Sequence, residues 1–269
     1  MSTIDRSLIR RAASAAGLVL LLARSAVAQQ AVPVPAPATP DFFSRYDFHL
    51  SAASLQISDP RFSWDTHFGG ELDVFDYVVG RTSVIIDYEA ILGDQFRAFD
   101  PNQGNYTLEA STSARLGGTE VAAMFHHVSR HVGDRPKEFA IAWNILGARV
   151  LRHEERNGLA IDIVADGGVL VQHSNVDYRW VGDLDLGVRR QMTTRLAVFG
   201  RGSGHLIGVD AAEFGRDAQY GGSVEAGIRI AGRDGVLELF AGVERRIDAD
   251  QLKLGSEHWL QAGFRLLRR

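Results

Sequence analysis

The chain lacks cysteine altogether and has only two lysines against 27 arginines. Without cysteine, no disulfide bond can stabilise the fold. The net charge is −4, and this negative balance argues against nucleic acid as a partner. After residue 28 there is no apolar run as long as a transmembrane helix needs, so we expect no helical anchor in the mature chain.

The N-terminus has the pattern of a cleaved signal peptide. Three arginines within the first eleven residues precede the apolar run AASAAGLVLLLA and a small-x-small cleavage sequence that ends at Ala28. Residues 1–28 carry four Arg and one Asp, or +3, so their removal changes the net charge from −4 to −7. We predict an exported protein with a proline-rich tether at residues 29–41 and a single folded domain at residues 42–269.

Period-two alternation of polar and apolar residues recurs through the rest of the chain and predicts β-strands. The connections alternate between short turns and longer polar loops, which is typical of an outer-membrane barrel. The prolines all fall in the tether or in proposed loops. We therefore predict an all-β, transmembrane, antiparallel up-and-down β-barrel of about twelve strands. The segments are 45–55, 67–77, 81–91, 105–116, 119–131, 138–150, 159–172, 178–190, 194–206, 219–230, 235–245 and 256–267.

The alternation separates a charged face from an apolar face. Ile161 and Ile163, for example, lie on one face of their segment, while Asp162 lies on the other. A membrane barrel turns its apolar face to lipid and its polar face to the lumen, and charges of both signs suit a wet or salt-bridged lumen. The predicted lumen side chains are Asp162, Asp166, Arg179, Asp183, Asp185, Arg189, Arg201, Glu225 and Arg229.

Two further patterns favour a bacterial outer membrane. Even-numbered segments tend to begin with an aromatic residue on the apolar face, as expected of an interfacial girdle. The last segment resembles the C-terminal strand that the outer-membrane assembly machinery recognises, although it ends in two arginines rather than an aromatic residue. That resemblance implies outer-membrane lipid and the assembly machinery as partners. The girdle residues are Phe68, Tyr106, Phe139, Tyr178 and Tyr220.

Residues 125–134 read FHHVSRHVGD and concentrate polar chemistry on one strand. Alternate side chains of a strand share a face, so His127, Ser129 and His131 align. We expect them in the lumen, because polar side chains in lipid are costly. The stretch resembles the His-x-Ser-Ser-His-x-Gly-Asp motif of an exported bacterial β-barrel family of unknown function, with Arg130 in place of the second serine. The matching residues are His127, Ser129, His131, Gly133 and Asp134.

The tripeptide His127-Val128-Ser129 also resembles the His-x-Ser pattern of outer-membrane lipid A deacylases, which cut an ester of the outer-leaflet lipid. That resemblance implies His127 as the general base and Ser129 as the nucleophile. Asp134 or Glu138 would then orient the histidine. The chain departs from these enzymes in its larger number of strands and in Arg130, where they carry asparagine.

Three functions stay open on sequence alone. The favoured one is a non-enzymatic barrel, either a small channel for small polar solutes or a surface protein whose lumen is closed by ion pairs. In that case the polar stretch is a strand end that forms hydrogen bonds at the rim. The second is an outer-leaflet lipid esterase that uses His127 and Ser129. The third is a soluble periplasmic barrel that binds an apolar ligand.

We expect neither a cofactor nor a metal. His127 and His131 lie four residues apart on a strand, about 13 Å between their Cα atoms, which is too far to share one ion.

Overall fold

The computed structural model describes residues 35–133 and 138–268, which form twelve antiparallel strands and one short helix, α1 (Ala211–Phe214). The predicted signal peptide, part of the tether, Asp134 and Arg269 lie outside the described residues. The strands are β1 (Asp41–Gln56), β2 (Trp64–Asp76), β3 (Arg81–Gly93), β4 (Asp100–Leu116), β5 (Thr119–Val132), β6 (Ile141–Arg156), β7 (Leu159–Ser174), β8 (Tyr178–Gln191), β9 (Leu196–Val209), β10 (Gln219–Ala231), β11 (Gly235–Ile247) and β12 (Ser256–Arg268).

Each strand pairs with the next one along the chain, and β1 pairs with β12, which closes the barrel. The predicted twelve-stranded, all-β, up-and-down barrel is confirmed. Every predicted segment overlaps one strand, and the boundary differs most in β6, which continues to Arg156 rather than ending at residue 150. The strands are 13 to 17 residues long, more than the 9–11 residues that cross a bilayer at the usual tilt.

Short turns occupy one end of the barrel and longer loops the other. The turn between β6 and β7 is Asn157-Gly158, with φ of 52° and 72°. Both angles are positive, as a two-residue hairpin turn requires, and asparagine and glycine adopt them most easily. At the opposite end the connection between β9 and β10 has nine residues and contains α1. Within the described ranges, no helix is long and apolar enough to cross a membrane.

The barrel is apolar outside and charged inside. On β5, His126 faces the lumen and is 8% exposed, whereas its neighbour Phe125 faces outward and is 42% exposed. Glu120 and Glu238 are among the fully buried side chains of the interior. An exterior with this much apolar surface matches lipid rather than water. The structure therefore argues against a soluble barrel, which needs an apolar interior and a polar exterior.

A register shift in β8 changes the predicted aromatic girdle. The pairing moves from Tyr178↔Val209 to Trp180↔Gly208, which places one extra residue in β8. Tyr178 is buried inside, where its hydroxyl donates to the Asp248 carboxylate at 2.6 Å, and Trp180 is exposed outside. The prediction that Tyr178 belongs to the outer girdle is therefore wrong. The other predicted girdle residues, Phe68, Tyr106, Phe139 and Tyr220, are exposed.

Candidate active site

The outer face of β5 carries the polar row that we expected in the lumen. His127 pairs directly opposite Leu108 of β4, which is 46% exposed. Directly opposite residues share a face, so His127 and, two and four residues on, Ser129 and His131 point outward. The lumen expectation is wrong because the inward residues of β5 include apolar ones, such as Met124. Polarity alone therefore does not distinguish the two faces of this strand.

His127 is held by an asparagine on the neighbouring strand. Its Nδ1–H donates to Oδ1 of Asn144 on β6 at 2.6 Å. The Asn144 amide donates in turn to Oε1 of Gln172 on β7 at 2.9 Å. This chain of hydrogen bonds orients the ring, and in the neutral imidazole it places the proton on Nδ1 and leaves Nε2 as the acceptor. A histidine in this state can accept a proton from a hydroxyl group.

A second register shift brings Gln172 to this face. The pairing of β6 with β7 moves from Ile145↔Leu170 to Asn144↔Gln172, so β7 contains one extra residue, Val171. Counting alternate residues along β7 would place Gln172 in the lumen with the strand's acidic residues. Sequence reasoning also missed Asn144. The signal that could have found it is a single polar amide in an otherwise apolar stretch, AIAWNILGA.

Ser129 lies between two histidines on the same face. Its Oγ is 2.9 Å from Nε2 of His131. In the other direction His127 is two residues away, about 7 Å between Cα atoms, which lets the side chains meet. A hydrogen bond from Ser129 to His127 instead of His131 would require rotation about χ1 of Ser129. The arrangement places a nucleophile within reach of a base that is itself oriented by a third group.

A row of aromatic rings leads to this site across the outer face. The edge of His131 meets the Tyr106 ring at 5.4 Å between centroids, Tyr106 lies 4.8 Å from Tyr88, and Tyr88 lies 5.1 Å from Phe68. These rings sit on β2 to β5, toward the ends that carry the longer loops. Aromatic rings concentrate at membrane–water interfaces, so the row places Ser129 at the interface on the long-loop side.

Of the other predicted site residues, Gly133 has a structural role and Glu138 lies in a loop. The Gly133 N–H donates to the Asn102 carbonyl at 2.8 Å. A Cβ at Gly133 would lie 2.3 Å from the Pro101 carbonyl oxygen, so no larger residue fits. Glu138 is exposed in the loop before β6. Asn144, not Glu138, accepts the hydrogen bond from His127.

One predicted lumen residue lies elsewhere. Arg179 is 61% exposed and forms an ion pair with Asp210, in the loop before α1. The register shift beside Tyr178 removes Arg179 from the inward row of β8. The other predicted lumen residues share the inward faces of their strands; they are Asp162, Asp166, Asp183, Asp185, Arg189, Arg201, Glu225 and Arg229.

Ion pairs fill much of the lumen. Arg265 on β12 bridges Glu225 and Glu238, at 2.7 and 3.0 Å. Arg246 on β11 reaches across to Glu89 on β3 at 2.7 Å. Arginine suits such positions because it keeps its charge when desolvated and pairs with two carboxylates at once. Charged side chains on different strands therefore form ion pairs across the interior.

The loop between β11 and β12 folds over the long-loop mouth. Gln103 donates to the Ala249 carbonyl at 2.7 Å, and Arg130 donates to the Asp248 carbonyl at 2.8 Å. Arg216, from the loop after α1, donates to the Asp248 carboxylate at 2.8 Å. Burial alone would raise the pKa of Asp248, but the hydrogen bonds from Arg216 and Tyr178 hold that pKa below its ordinary value.

No protein-family profile and no curated protein sequence matches the chain. Several solved structures do match. One is the outer membrane phospholipase A of Escherichia coli, with a TM-score of 0.51 and 9% identity over 83% of this chain and 92% of that one. The chain has the fold of a bacterial outer-membrane β-barrel.

Two further matches have different functions. An asparagine-to-alanine active-site mutant of the E. coli phospholipase A gives a TM-score of 0.51 and 9% identity, covering 90% of this chain and 95% of that one. An outer-membrane channel from Pseudomonas putida F1 gives 0.51 and 12%, covering 91% and 99%. The likeness is therefore one of fold, shared by an enzyme and a channel. The resemblance to a family of unknown function stays a prediction.

Proposed function

We propose that the protein hydrolyses an acyl ester of an outer-leaflet lipid in the bacterial outer membrane, with Ser129 as the nucleophile. The observation that carries this proposal is the 2.6 Å hydrogen bond from His127 to Asn144, on the lipid-facing surface and two residues from Ser129. An ionisable side chain on a lipid-facing surface is costly and is a candidate for a functional site. The mutant of the E. coli phospholipase A indicates that an asparagine belongs to the active site of that enzyme too.

The chemistry is a two-step acyl transfer. Ser129 Oγ attacks the ester carbonyl carbon while His127 Nε2 takes the hydroxyl proton. The same proton then passes to the departing alcohol oxygen of the lipid, leaving an acyl group on Ser129. Water, deprotonated by His127, attacks that acyl group and releases the fatty acid, and Ser129 regains its proton. Throughout, Asn144 holds the ring through its Nδ1–H.

An amide suits the orienting position on a lipid-facing surface. The imidazole needs an acceptor for its Nδ1–H, which an aspartate or an asparagine can supply. A carboxylate in this low-dielectric setting carries a much larger desolvation cost than a neutral amide. Gln172 satisfies the Asn144 amide in turn, so the row of three polar groups is internally hydrogen-bonded.

The lumen supports this choice over an open channel. Its arginines and carboxylates pair with one another, and the loop between β11 and β12 covers the long-loop mouth. An open pore instead needs charged walls that face water. The proposal also requires export through the signal peptide and insertion by the assembly machinery, both of which are sequence predictions.

Fatty-acid release from lipid–detergent mixed micelles tests the proposal. We expect the purified mature barrel to cleave a glycerophospholipid or lipid A, assayed in parallel, and Ser129→Ala to lower the rate by at least about 100-fold. Ser203→Ala is the matched control, because Ser203 lies in the lumen and bonds to Ser223. An inactive wild type, or a Ser129→Ala variant as active as the wild type, contradicts the proposal.

A further inference from the structure

A second cluster of polar side chains lies inside the barrel, on β2 and β3. Asp65 and His67 project from β2, and Glu89 projects from β3 directly opposite His67. One ligand atom from each of these three side chains lies within 4.8 Å of the others. Strand alternation brings the first two to one face, and strand pairing adds the third.

Two buried atoms of this cluster face each other as a close histidine–carboxylate pair. They are His67 Nε2 and Asp65 Oδ1, which lie 3.0 Å apart on residues that are each 6% exposed. His67 Nε2 also lies 3.7 Å from Glu89 Oε1. In the absence of an ion, a protonated His67 pairs with Asp65 directly, and a metal ion bound between the two atoms would take the place of that proton. Separations of 3.0 and 3.7 Å are those expected between ligand atoms that each lie about 2.0–2.2 Å from one ion.

A carboxylate behind His67 fixes the ring for this role. His67 Nδ1 lies 3.0 Å from Asp87 Oδ2, and the other oxygen of Asp87 lies 2.6 Å from His49 Nε2. With an ion bound, donation of Nδ1–H to Asp87 would leave the lone pair of His67 Nε2 for the metal, toward Asp65 and Glu89. Metal-binding histidines are commonly held by a carboxylate in this way.

The local charge balance also favours a cation. Three carboxylates contact Arg246, and a fourth, Asp87, contacts His67. One guanidinium and a protonated His67 against four carboxylates leave −2, and exchange of the His67 proton for a divalent ion leaves −1. Buried charge that is not compensated is strongly unfavourable. The three carboxylates at Arg246 are Asp65, Glu89 and Glu244.

We propose that Asp65, His67 and Glu89 bind one divalent transition-metal ion, best matched by Zn²⁺, inside the lumen. One imidazole and two carboxylates suit Zn²⁺, whereas Ca²⁺ and Mg²⁺ prefer oxygen ligands alone. A cavity of about 30 Å³ borders Asp65 and His67, which is room for one water as a fourth ligand. The ion ties β2 to β3 within the ion-paired lumen, and it is independent of the proposed hydrolysis. The sequence expectation was that no metal binds.

Zinc titration of the folded, chelator-stripped barrel tests this site. We expect one Zn²⁺ per chain by calorimetry and by elemental analysis, and a higher melting temperature with Zn²⁺. His67→Gln should weaken binding by at least about tenfold and remove the thermal shift. His205→Gln is the matched control, because His205 is also a lumen histidine bonded to a carboxylate, Asp183, and should bind as the wild type does.

Heat-modifiable migration on gels shows whether each variant is folded. If His67→Gln does not fold, Glu89→Gln takes its place, because a glutamine can still accept from Asn105. Failure of the wild type to bind Zn²⁺ would falsify the proposal by itself. Equal binding by wild type and His67→Gln, or tighter binding of Ca²⁺ than of Zn²⁺, also overturns it.

Discussion

At the scale of single residues, the hydrogen bond from His127 to Asn144 favours a catalytic site on the outer face over a polar patch with no role in chemistry. A rim histidine with no role in chemistry needs no fixed tautomer. His127 has one, because Asn144 accepts its Nδ1–H and is itself held by Gln172. Under the proposed hydrolysis, His127 is the base and Ser129, two residues away, is the nucleophile.

Replacement of Asn144 should therefore act through the turnover rate. We expect Asn144→Ala to lower kcat for lipid hydrolysis by about tenfold, the effect of one lost hydrogen bond of roughly 1.4 kcal/mol, with little change in KM. Gln172→Ala, one step further from the serine, should lower kcat less. Initial-rate measurements in mixed micelles check both variants. A kcat for Asn144→Ala equal to that of the wild type would show that the ring needs no orienting group.

We expect replacement of the two histidines that flank Ser129 to have different effects on the hydrolysis rate. His127 has the orienting partner, whereas His131 bonds to Ser129 Oγ in the structure and meets the Tyr106 ring edge-to-face. We expect His127→Gln to lower the hydrolysis rate by at least about 100-fold, as loss of a general base does. His131→Gln should keep the rate within about tenfold of the wild type. The opposite ranking would make His131 the base and is the outcome that overturns the assignment.

At the scale of the strands, period-two alternation was enough to predict the barrel. Each strand keeps one apolar face over most of its length, so twelve segments and their alternating connections follow from counting. Alternation fails where β8 and β7 each contain an extra residue, and there Tyr178, Arg179 and Gln172 leave their predicted faces. It also fails on β5, whose inward face includes Met124 and whose outward face includes His127. The candidate site lies where these irregularities occur, so sequence found His127 and Ser129 but neither their orientation nor Asn144.

The loop between β11 and β12 has a predictable response to acid. The pKa of Asp248 is lower in the folded barrel than its ordinary value of 3.8, so its ionised form stabilises the fold at higher pH. That contribution is fully present above the ordinary pKa and is lost as pH falls through the folded value. We expect the melting temperature to fall on acidification below about pH 4, and to fall less in Asp248→Asn.

A surface pair provides the control for this experiment. Arg233 and Asp234 form an exposed ion pair in the turn between β10 and β11, and such pairs contribute little. Asp234→Asn should therefore follow the wild-type pH profile. An Asp248→Asn variant that keeps the whole acid-dependent decrease would show that the loop carboxylate does not supply it.

At the scale of the whole molecule, ion pairs occupy the interior of the barrel, whereas the proposed chemistry lies on its exterior. Its interior is occupied by ion pairs that join distant strands, such as Arg246 on β11 with Glu89 on β3. Its exterior is largely apolar, and near the long-loop end it carries the polar side chains of His127, Asn144 and Gln172 beside Ser129 and His131. Under the proposed hydrolysis, the lipid-facing surface is therefore the place where the protein would meet its substrate.

Planar-bilayer recording measures whether the interior is closed. We expect no stable conductance steps from the inserted wild-type barrel, because its lumen charges pair with one another and a loop covers the long-loop mouth. Heat-modifiable migration verifies that the protein added is folded. Reproducible open steps from the wild type would restore the channel function that the sequence favoured.

The reactivity of Ser129, the proposed nucleophile, can be measured directly. A fluorophosphonate that carries a long alkyl chain reacts with an activated serine hydroxyl, and intact-mass spectrometry counts the adducts. We predict one adduct per wild-type chain, located at Ser129, none in Ser129→Ala, and much slower labelling in His127→Gln. The Ser203→Ala control should label as the wild type does. A wild-type barrel that stays unlabelled, or one that labels equally without Ser129, contradicts a lipid hydrolase on the outer face.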